Sequence, residues 1–596
     1  MVGVLILFSL ILFQCIFQNS KSKIQAVCLV MTLITLGLFY SSCFEVLNQF
    51  KIFLYLICFI PFGYFIIRYN KIKKNLFEVE DFILLGTAIL FVGASSGMTL
   101  HLWDEFSHWG LVETFIKTYH AIPKDGNIVN FPSYYMGMSL WIDFLSWPGS
   151  INQSEWYAAS LIISLIPIWI FLKVLKIDSH LSKKEQIISC FTVLLTFIAL
   201  IHITKQNLFA LYVDINMASF LCLGFIAYTV KDYRTSLALL LMQSILLVVS
   251  KHIGVVFAFT AILGWVVYRY KDNVWKNILG AVIVGSITLS TKIFWDYRLR
   301  ALDIRKNFDD NNISVGAFVK RFLTFNLTPH ETVILKNFVL STIGSQPFLI
   351  LLALTLLYVF SRKRDLSKTL ITTALLTLAA YLGILYLTYS FLFGSQEAEA
   401  LASFDRYIFP IFTAWILFFV AKIFILSTKP AKYFSLVSEK HFYFKTLSLA
   451  LITLIILSKE RSAAIVDSEN IKPIRATAKS VIESLPQGKN KVFLLWQHSN
   501  GFEFYILRNE LLPNWIQTEP FWAIAKEVKP QDYWTRKILS NDEIYKSLSG
   551  FNYLLLKGSD EQFWNEFGEM FDAKTDGIFA LETELGRIRF ILKTKL

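Results

Sequence analysis

The stretch "DFILLGTAILFVGASSGMTL" (81–100), followed at once by "HLWDEFSHWG" (101–110), decides how this chain is to be read. After Asp81 the first stretch carries no charge, and its length matches the roughly 20 helical residues that cross a hydrocarbon core of about 30 Å. The second crowds two adjacent acids and two histidines against the end of that run.

The same kind of apolar run recurs along the chain, at 2–18, 25–44, 51–68, 155–174, 186–203, 208–230, 236–250, 252–269, 277–295, 338–360, 369–393, 407–426 and 444–458. The composition agrees: of 596 residues 55% are hydrophobic and only 17% charged, against about 25% charged in soluble proteins. The expectation is a polytopic α-helical membrane protein with about 13–14 transmembrane helices. The first run lacks a basic leader and a small-residue cleavage site, and reads as a retained span. The six cysteines form no CxxC pair and most fall inside apolar runs, so they read as small core residues.

The net charge of +13 does not point to nucleic acid, because the Lys and Arg gather in short loops between the runs. Every second loop is basic: 19–25, 68–75, 173–186, 231–234, 268–277, 361–368 and 427–445. Basic loops stay cytoplasmic. The loops 101–154, 202–214, Ser250–His252, 296–337 and 394–406, and everything after about 459, are then expected outside. This phase also splits 236–269 into two spans at "SKHIG" (250–254). Within 101–154 the aromatics Tyr134, Tyr135, Trp141 and Trp147 suggest a helix lying at the interface, and "VGAFVKRFLTF" (315–325) suggests a second.

From about 470 the composition turns to that of a soluble α/β domain. "IRATAKSVIESL" reads as a helix, "KVFLLWQ" and "FNYLLLKG" as buried strands, "DEQFWNEFGEMF" as a helix, and "GIFALETE" with "RIRFILKT" as a hairpin. It carries no phosphate loop and no nucleophile elbow, which suits a lid or docking domain better than a second enzyme. The divisions expected are 1–80 (N-terminal transmembrane helices), 81–458 (the main transmembrane domain) and 459–596 (the extracytoplasmic domain).

The ionisable residues at the outer ends of the spans come from distant parts of the chain. They are Asp104 and Glu105, Lys205 and Asp214, Lys251 and His252, and Arg406. Charge at membrane depth is costly and often functional, and acids facing Lys and Arg would bind an anionic headgroup and set a base beside it. Offsets of three, four and seven put His101, Asp104, Glu105 and His108 near one helical face. Two readings compete there: a divalent-metal set, and an aromatic belt at headgroup level formed by Trp103, Phe106 and Trp109.

In order along the chain stand "WDEFSHWG" (103–110), "FPSYYMGMSLW" (131–141), "YVDINMASF" (212–220), "SKHIGVVF" (250–257) and "RYIFP" (406–410), followed by a soluble α/β tail. That ordered set resembles the GT-C superfamily of lipid-linked-sugar glycosyltransferases, and within it the aminoarabinose transferases and protein O-mannosyltransferases. The sequence departs from the family in having three spans before the acidic one and Ser133 where a second proline is common. The resemblance implies an inverting transferase of a bacterial inner membrane, with its active site and C-terminal domain facing the periplasm. Its donor would be a sugar on a polyprenyl phosphate, and its acceptor an extracytoplasmic glycan, lipid or protein. It further implies Asp104, with Glu105, as the catalytic pair, and Lys251, Arg406 and Lys205 as the hold on the donor phosphate. His108, Asp214, Tyr134, Tyr135 and His252 would position substrate. The alternatives are an O-antigen ligase or polymerase, and a transporter or flippase of a polyprenyl-linked glycan.

Overall fold

The computed structural model describes residues 2–596 except 18, 73–76, 125–128, 130, 178–182, 305–315, 317–319, 322, 325, 362–363, 423–438, 517–522, 529–534, 539 and 585–586. The helix expected at 315–325 therefore lies mostly outside the described residues. By contacts the chain divides into two units. The first is Met1–Gly97 with Phe131–Ser462, and the second is Met98–Asn130 with Ala463–Leu596. The loop 101–154 is thus shared out: its acidic first part belongs with the C-terminal residues and its aromatic second part with the helices.

The first unit is helical. Among the described residues six helices are long and apolar enough to cross a membrane: Ser20–Cys43, Leu47–Ile67, Gln153–Lys176, Lys184–Ile203, Val274–Ala301 and Lys368–Leu392. The pair Pro329–Gly344 and Gln346–Val359 makes a seventh if counted as one span, bent by 56°. The expected single run 338–360 breaks there because Ser345 is extended (ψ 137°) and Pro347 has no N–H to continue a helical ladder. The run 208–230 is also shorter than expected, because its helix starts only at Asp214 (Asp214–Thr229). By contrast 236–269 does divide in two, Tyr233–Val248 and His252–Tyr268, with Lys251 as the extended residue between them.

Burial sorts these helices. The apolar window of Gln153–Lys176 is wholly buried, whereas that of Leu47–Ile67 is 17% buried. Phe59, Ile60, Ile66 and Ile67 on the latter stand exposed. The core is built around Asp214–Thr229, where Phe225 stacks on Trp415 at 4.2 Å. Some polar atoms inside it are matched: Asn216 Nδ2 donates to Ser160 O and Ser164 Oγ, both at 2.9 Å, and Trp265 Nε1 donates to Ser236 Oγ at 2.7 Å.

The stretch expected to lie at the interface is instead interior. The helix Gly137–Leu145 is buried at every residue, as are Tyr134, Tyr135 and Trp141, while Trp147 alone of the four aromatics is exposed. Trp141 can be interior because its indole N–H finds Thr35 Oγ1 at 3.1 Å.

The second unit holds a five-stranded sheet in the order β2–β1–β5–β6–β7. Its strands are β1 (Lys491–Trp496), β2 (Trp515–Ile516), β5 (Tyr553–Lys557), β6 (Gly577–Glu584) and β7 (Arg587–Lys595); β3 (Ala523–Ala525) and β4 (Thr535–Lys537) form a separate pair. β1 pairs in parallel with β2 and β5, and β5–β6–β7 run antiparallel. The core joins Phe493, Leu495, Leu554, Leu556, Phe579 and Phe590, the alternate residues that strand periodicity sends to one face. The helix expected at 474–485 is the last part of a longer one, Glu439–Ser484, which contributes residues to both units.

Candidate functional sites

In the first unit three ionisable side chains meet at the ends of three helices. Asp214 is the first residue of its helix, where the free backbone N–H groups and the helix dipole favour a carboxylate. Its Oδ2 accepts from Arg406 Nε at 3.0 Å, and its Oδ1 lies 3.5 Å from Lys251 Nζ. Lys251 caps the helix His252–Tyr268 with extended backbone (φ −163°). Arg406 lies in the first turn of Phe404–Val420, which starts from Ser403 in the left-handed region (φ 59°). The sequence neighbour Asp405 is exposed, so Arg406 takes its carboxylate from 192 residues away instead.

Aromatic rings flank both cations. Arg406 Cζ stands 4.1 Å from the Tyr212 ring centroid, and Lys251 Nζ 5.1 Å from that of Tyr407. The Asp214 side chain is 1% exposed and that of Lys251 8%, but Arg406 keeps 22%. Arg406 is therefore the face of the cluster that a ligand can touch. The three charges lie largely out of solvent, where little water screens them.

A second group stands beside Lys251 in sequence. The His252 ring meets Tyr134 and Tyr135 edge-on at 5.6 and 5.0 Å, and Tyr135 stacks on Trp295 at 5.4 Å. The stretch 131–137 is seated on the turn after Tyr233–Val248 by Gly137 N–H, which donates to Val249 O at 2.9 Å. A Cβ on Gly137 would stand 2.5 Å from that oxygen, so glycine is what permits the approach. Lys205, expected with the other cations, is exposed in a left-handed turn (φ 55°) and, among the described residues, joins none of the ion pairs of the cluster.

In the second unit "EFSHW" forms a π-helix, Glu105–Trp109, followed by the α-helix Gly110–Tyr119. Such wider turns are rare and frequent at functional sites. Asp104 precedes it, half-buried, while Glu105 and His108 are buried. Glu105 Oε2 accepts from the backbone N–H groups of His101 and Leu102 at 2.9 and 3.1 Å. Its carboxylate thus ties the turn, and the two adjacent acids differ in their surroundings.

Of the four proposed metal ligands His101 and Glu105 do approach, Nδ1 to Oε2 at 3.7 Å. Among the described residues no three His, Cys, Asp or Glu side chains stand together as a metal site. The aromatic-belt reading is corrected as well. Trp103 stacks on Phe502 at 5.4 Å, Phe106 meets the same ring edge-on at 5.8 Å, and Trp109 is buried. All three pack inside the unit.

Arg475 and Glu510 complete that packing and had no signal in the sequence beyond their charge. Arg475 donates to Glu510 Oε1 at 3.0 Å and to Leu100 O at 3.1 Å. Burial outweighs this cation and holds the Glu510 carboxyl above the usual carboxylate range. Arg475→Ala is expected to destabilise the segment before the π-helix by about 1–3 kcal/mol, the cost of leaving a buried acceptor unpaired. Hydrogen exchange of the intact chain should show faster exchange at 98–110 with little change in the first unit.

No protein-family model matches the chain, and neither does any curated protein sequence.

Proposed function

We propose that the chain is a membrane glycosyltransferase of GT-C type that takes a sugar from a polyprenyl-phosphate donor at the outer face of a bacterial inner membrane. In this reading about 13–14 of its helices cross the bilayer, and the acceptor is an extracytoplasmic glycan, lipid or protein. The observation that supports it best is the Asp214–Lys251–Arg406 cluster. A sugar phosphodiester on a polyprenol carries one negative charge, which the two cations Lys251 and Arg406 are suited to meet. Arg406 offers a planar fork suited to phosphate oxygens, and Asp214 holds that fork by Nε.

The chemistry is a displacement at the anomeric carbon. The acceptor oxygen forms the new bond to that carbon, its proton passes to a base, and the bond from the anomeric carbon to the phosphate oxygen breaks. The electron pair of that bond leaves with the polyprenyl phosphate, which becomes a monoester. Arg406 and Lys251 stabilise the charge growing on the leaving phosphate. By the resemblance Asp104 is the base and the configuration inverts. By the resemblance Tyr134 and His252 would position substrate, with Tyr135 buried against His252 and Trp295 behind them.

The test is transfer by the intact chain in proteoliposomes, supplied with polyprenyl-phosphate sugars and membrane-derived acceptors and read by mass spectrometry. An acceptor gaining the mass of one glycosyl residue, with release of polyprenyl phosphate, supports the reading. Movement of an unaltered donor across the bilayer without any change of mass would instead identify a flippase.

A further inference from the structure

The three N-terminal helices Val2–Gln14, Ser20–Cys43 and Leu47–Ile72 are tied down at both ends by polar contacts. At one end Gln14 Nε2 donates to Asp81 Oδ1 at 3.1 Å, and Gln25 Nε2 to Asp232 Oδ2 at 3.0 Å. At the other, Lys51 Nζ pairs with Asp143 Oδ2 at 2.6 Å, and Tyr55 Oη donates to Phe144 O at 2.9 Å. Between these ties the helices do not close on their neighbours. They leave between them a pocket of about 520 Å³, open on one side and lined by side chains such as Leu10, Ile34, Leu36, Leu54 and Ile166.

Its polar atoms are few and engaged: Ser9 Oγ donates to Cys58 O at 2.6 Å. The volume falls within the roughly 300–1,000 Å³ of small-molecule sites. An apolar void of that size is costly to leave empty, and helices free to collapse would fill it. Its rim says where an occupant comes from. Leu33, Phe53 and Ile57 line the cavity and are themselves 57%, 54% and 40% exposed, so the opening faces the apolar exterior of the helices.

A second cavity of about 170 Å³ shares Gly3, Leu145 and Ile162 with the first. It is polar where the first is not, with Ser96, Asn152, Ser154 and Glu155 in its wall and, among the described residues, no Lys or Arg; Glu155 Oε2 also accepts from Trp147 N–H at 2.6 Å. An apolar chamber open to hydrocarbon and abutting a small polar chamber with one acid has the shape of an amphiphile. We propose that the pair of cavities holds one membrane lipid with an amine headgroup, its hydrocarbon chain in the larger chamber and its ammonium at Glu155. This site is independent of sugar transfer and involves none of the residues assigned to it.

Native mass spectrometry of the intact chain in detergent tests it, with phosphatidylethanolamine and phosphatidylglycerol of identical chains as probes. One phosphatidylethanolamine should be retained per chain, preferred about fivefold over phosphatidylglycerol. Glu155→Gln should erase that preference while leaving chain binding in place. Ile34→Trp, which fills the larger chamber, should reduce retention of both lipids about tenfold or more; Leu36→Phe serves if the tryptophan variant does not fold. Unchanged retention in the filled variants overturns the chamber as the binding site. Unchanged preference in Glu155→Gln overturns the headgroup assignment, as does displacement of the phosphatidylethanolamine by a polyprenyl phosphate.

Discussion

Arg406→Ala weakens binding of a polyprenyl-phosphate sugar by about 30-fold or more, the effect of removing one partner from a hydrogen-bonded charge pair in a desolvated site. The expectation rests on exposure and geometry. Of the three clustered charges Arg406 alone keeps appreciable surface, 22% of its side chain, and its fork is oriented through Nε by Asp214 at 3.0 Å. A purely structural lock would also fail on this substitution, because Asp214 would keep only the longer contact to Lys251 at 3.5 Å. The variant Arg406→Gln separates the two. Its amide can still donate to Asp214, which forms a neutral pair with Lys251, so thermal stability in detergent should return towards that of the parent chain. Donor affinity should stay low if Arg406 touches the phosphate. Recovery of affinity together with stability would leave the cluster a helix clamp and take away the main support for donor binding. Arg406→Lys should keep the charge yet recover only part of the affinity, since an ammonium cannot reproduce the planar fork.

How much of this was legible in the sequence depends on the range of the contacts involved. Local signals carried far: the turn at Lys251 follows from Ser250 to Gly254 and the alternation of basic loops, and the hairpin β6–β7 follows from two adjacent stretches of strand-like residues. The meeting of Asp214, Lys251 and Arg406 was legible only as a shared membrane face, because hydropathy gives depth but not which helices are neighbours. The partition of 101–154 was not legible at all. Phe502, which stacks on Trp103, lies about 400 residues later, and nothing in the intervening pattern announces it. The wider turn Glu105–Trp109 does not keep the α-helical offsets that residue spacing alone suggests. The break at Ser345 was visible in principle, as Gly344-Ser345-Gln346-Pro347 combines two residues that interrupt helices.

The adjacent acids Asp104 and Glu105 should separate cleanly when each is made an amide. Glu105 is wholly buried and its Oε2 accepts two backbone N–H groups. Glu105→Gln keeps an acceptor but gives up the charge that strengthens both bonds. Its main effect should be a loss of stability of about 1–3 kcal/mol, with transfer falling only in step with the folded fraction. Asp104 stands half-buried at the head of the π-helix, and as an amide it cannot take up a proton. Asp104→Asn should therefore leave the thermal midpoint near that of the parent chain and slow transfer by about 10²–10⁴-fold, the usual worth of a positioned base. Donor affinity should be nearly unchanged, because the lost step follows binding. If the acceptor is itself a phosphate it is already anionic, no proton need be removed, and the loss should shrink with such acceptors while persisting with hydroxyl acceptors. Equal transfer by Asp104→Asn and the parent chain towards a hydroxyl acceptor would remove Asp104 from the reaction. A Glu105→Gln variant that stays fully folded yet inactive would move the base one residue along the chain.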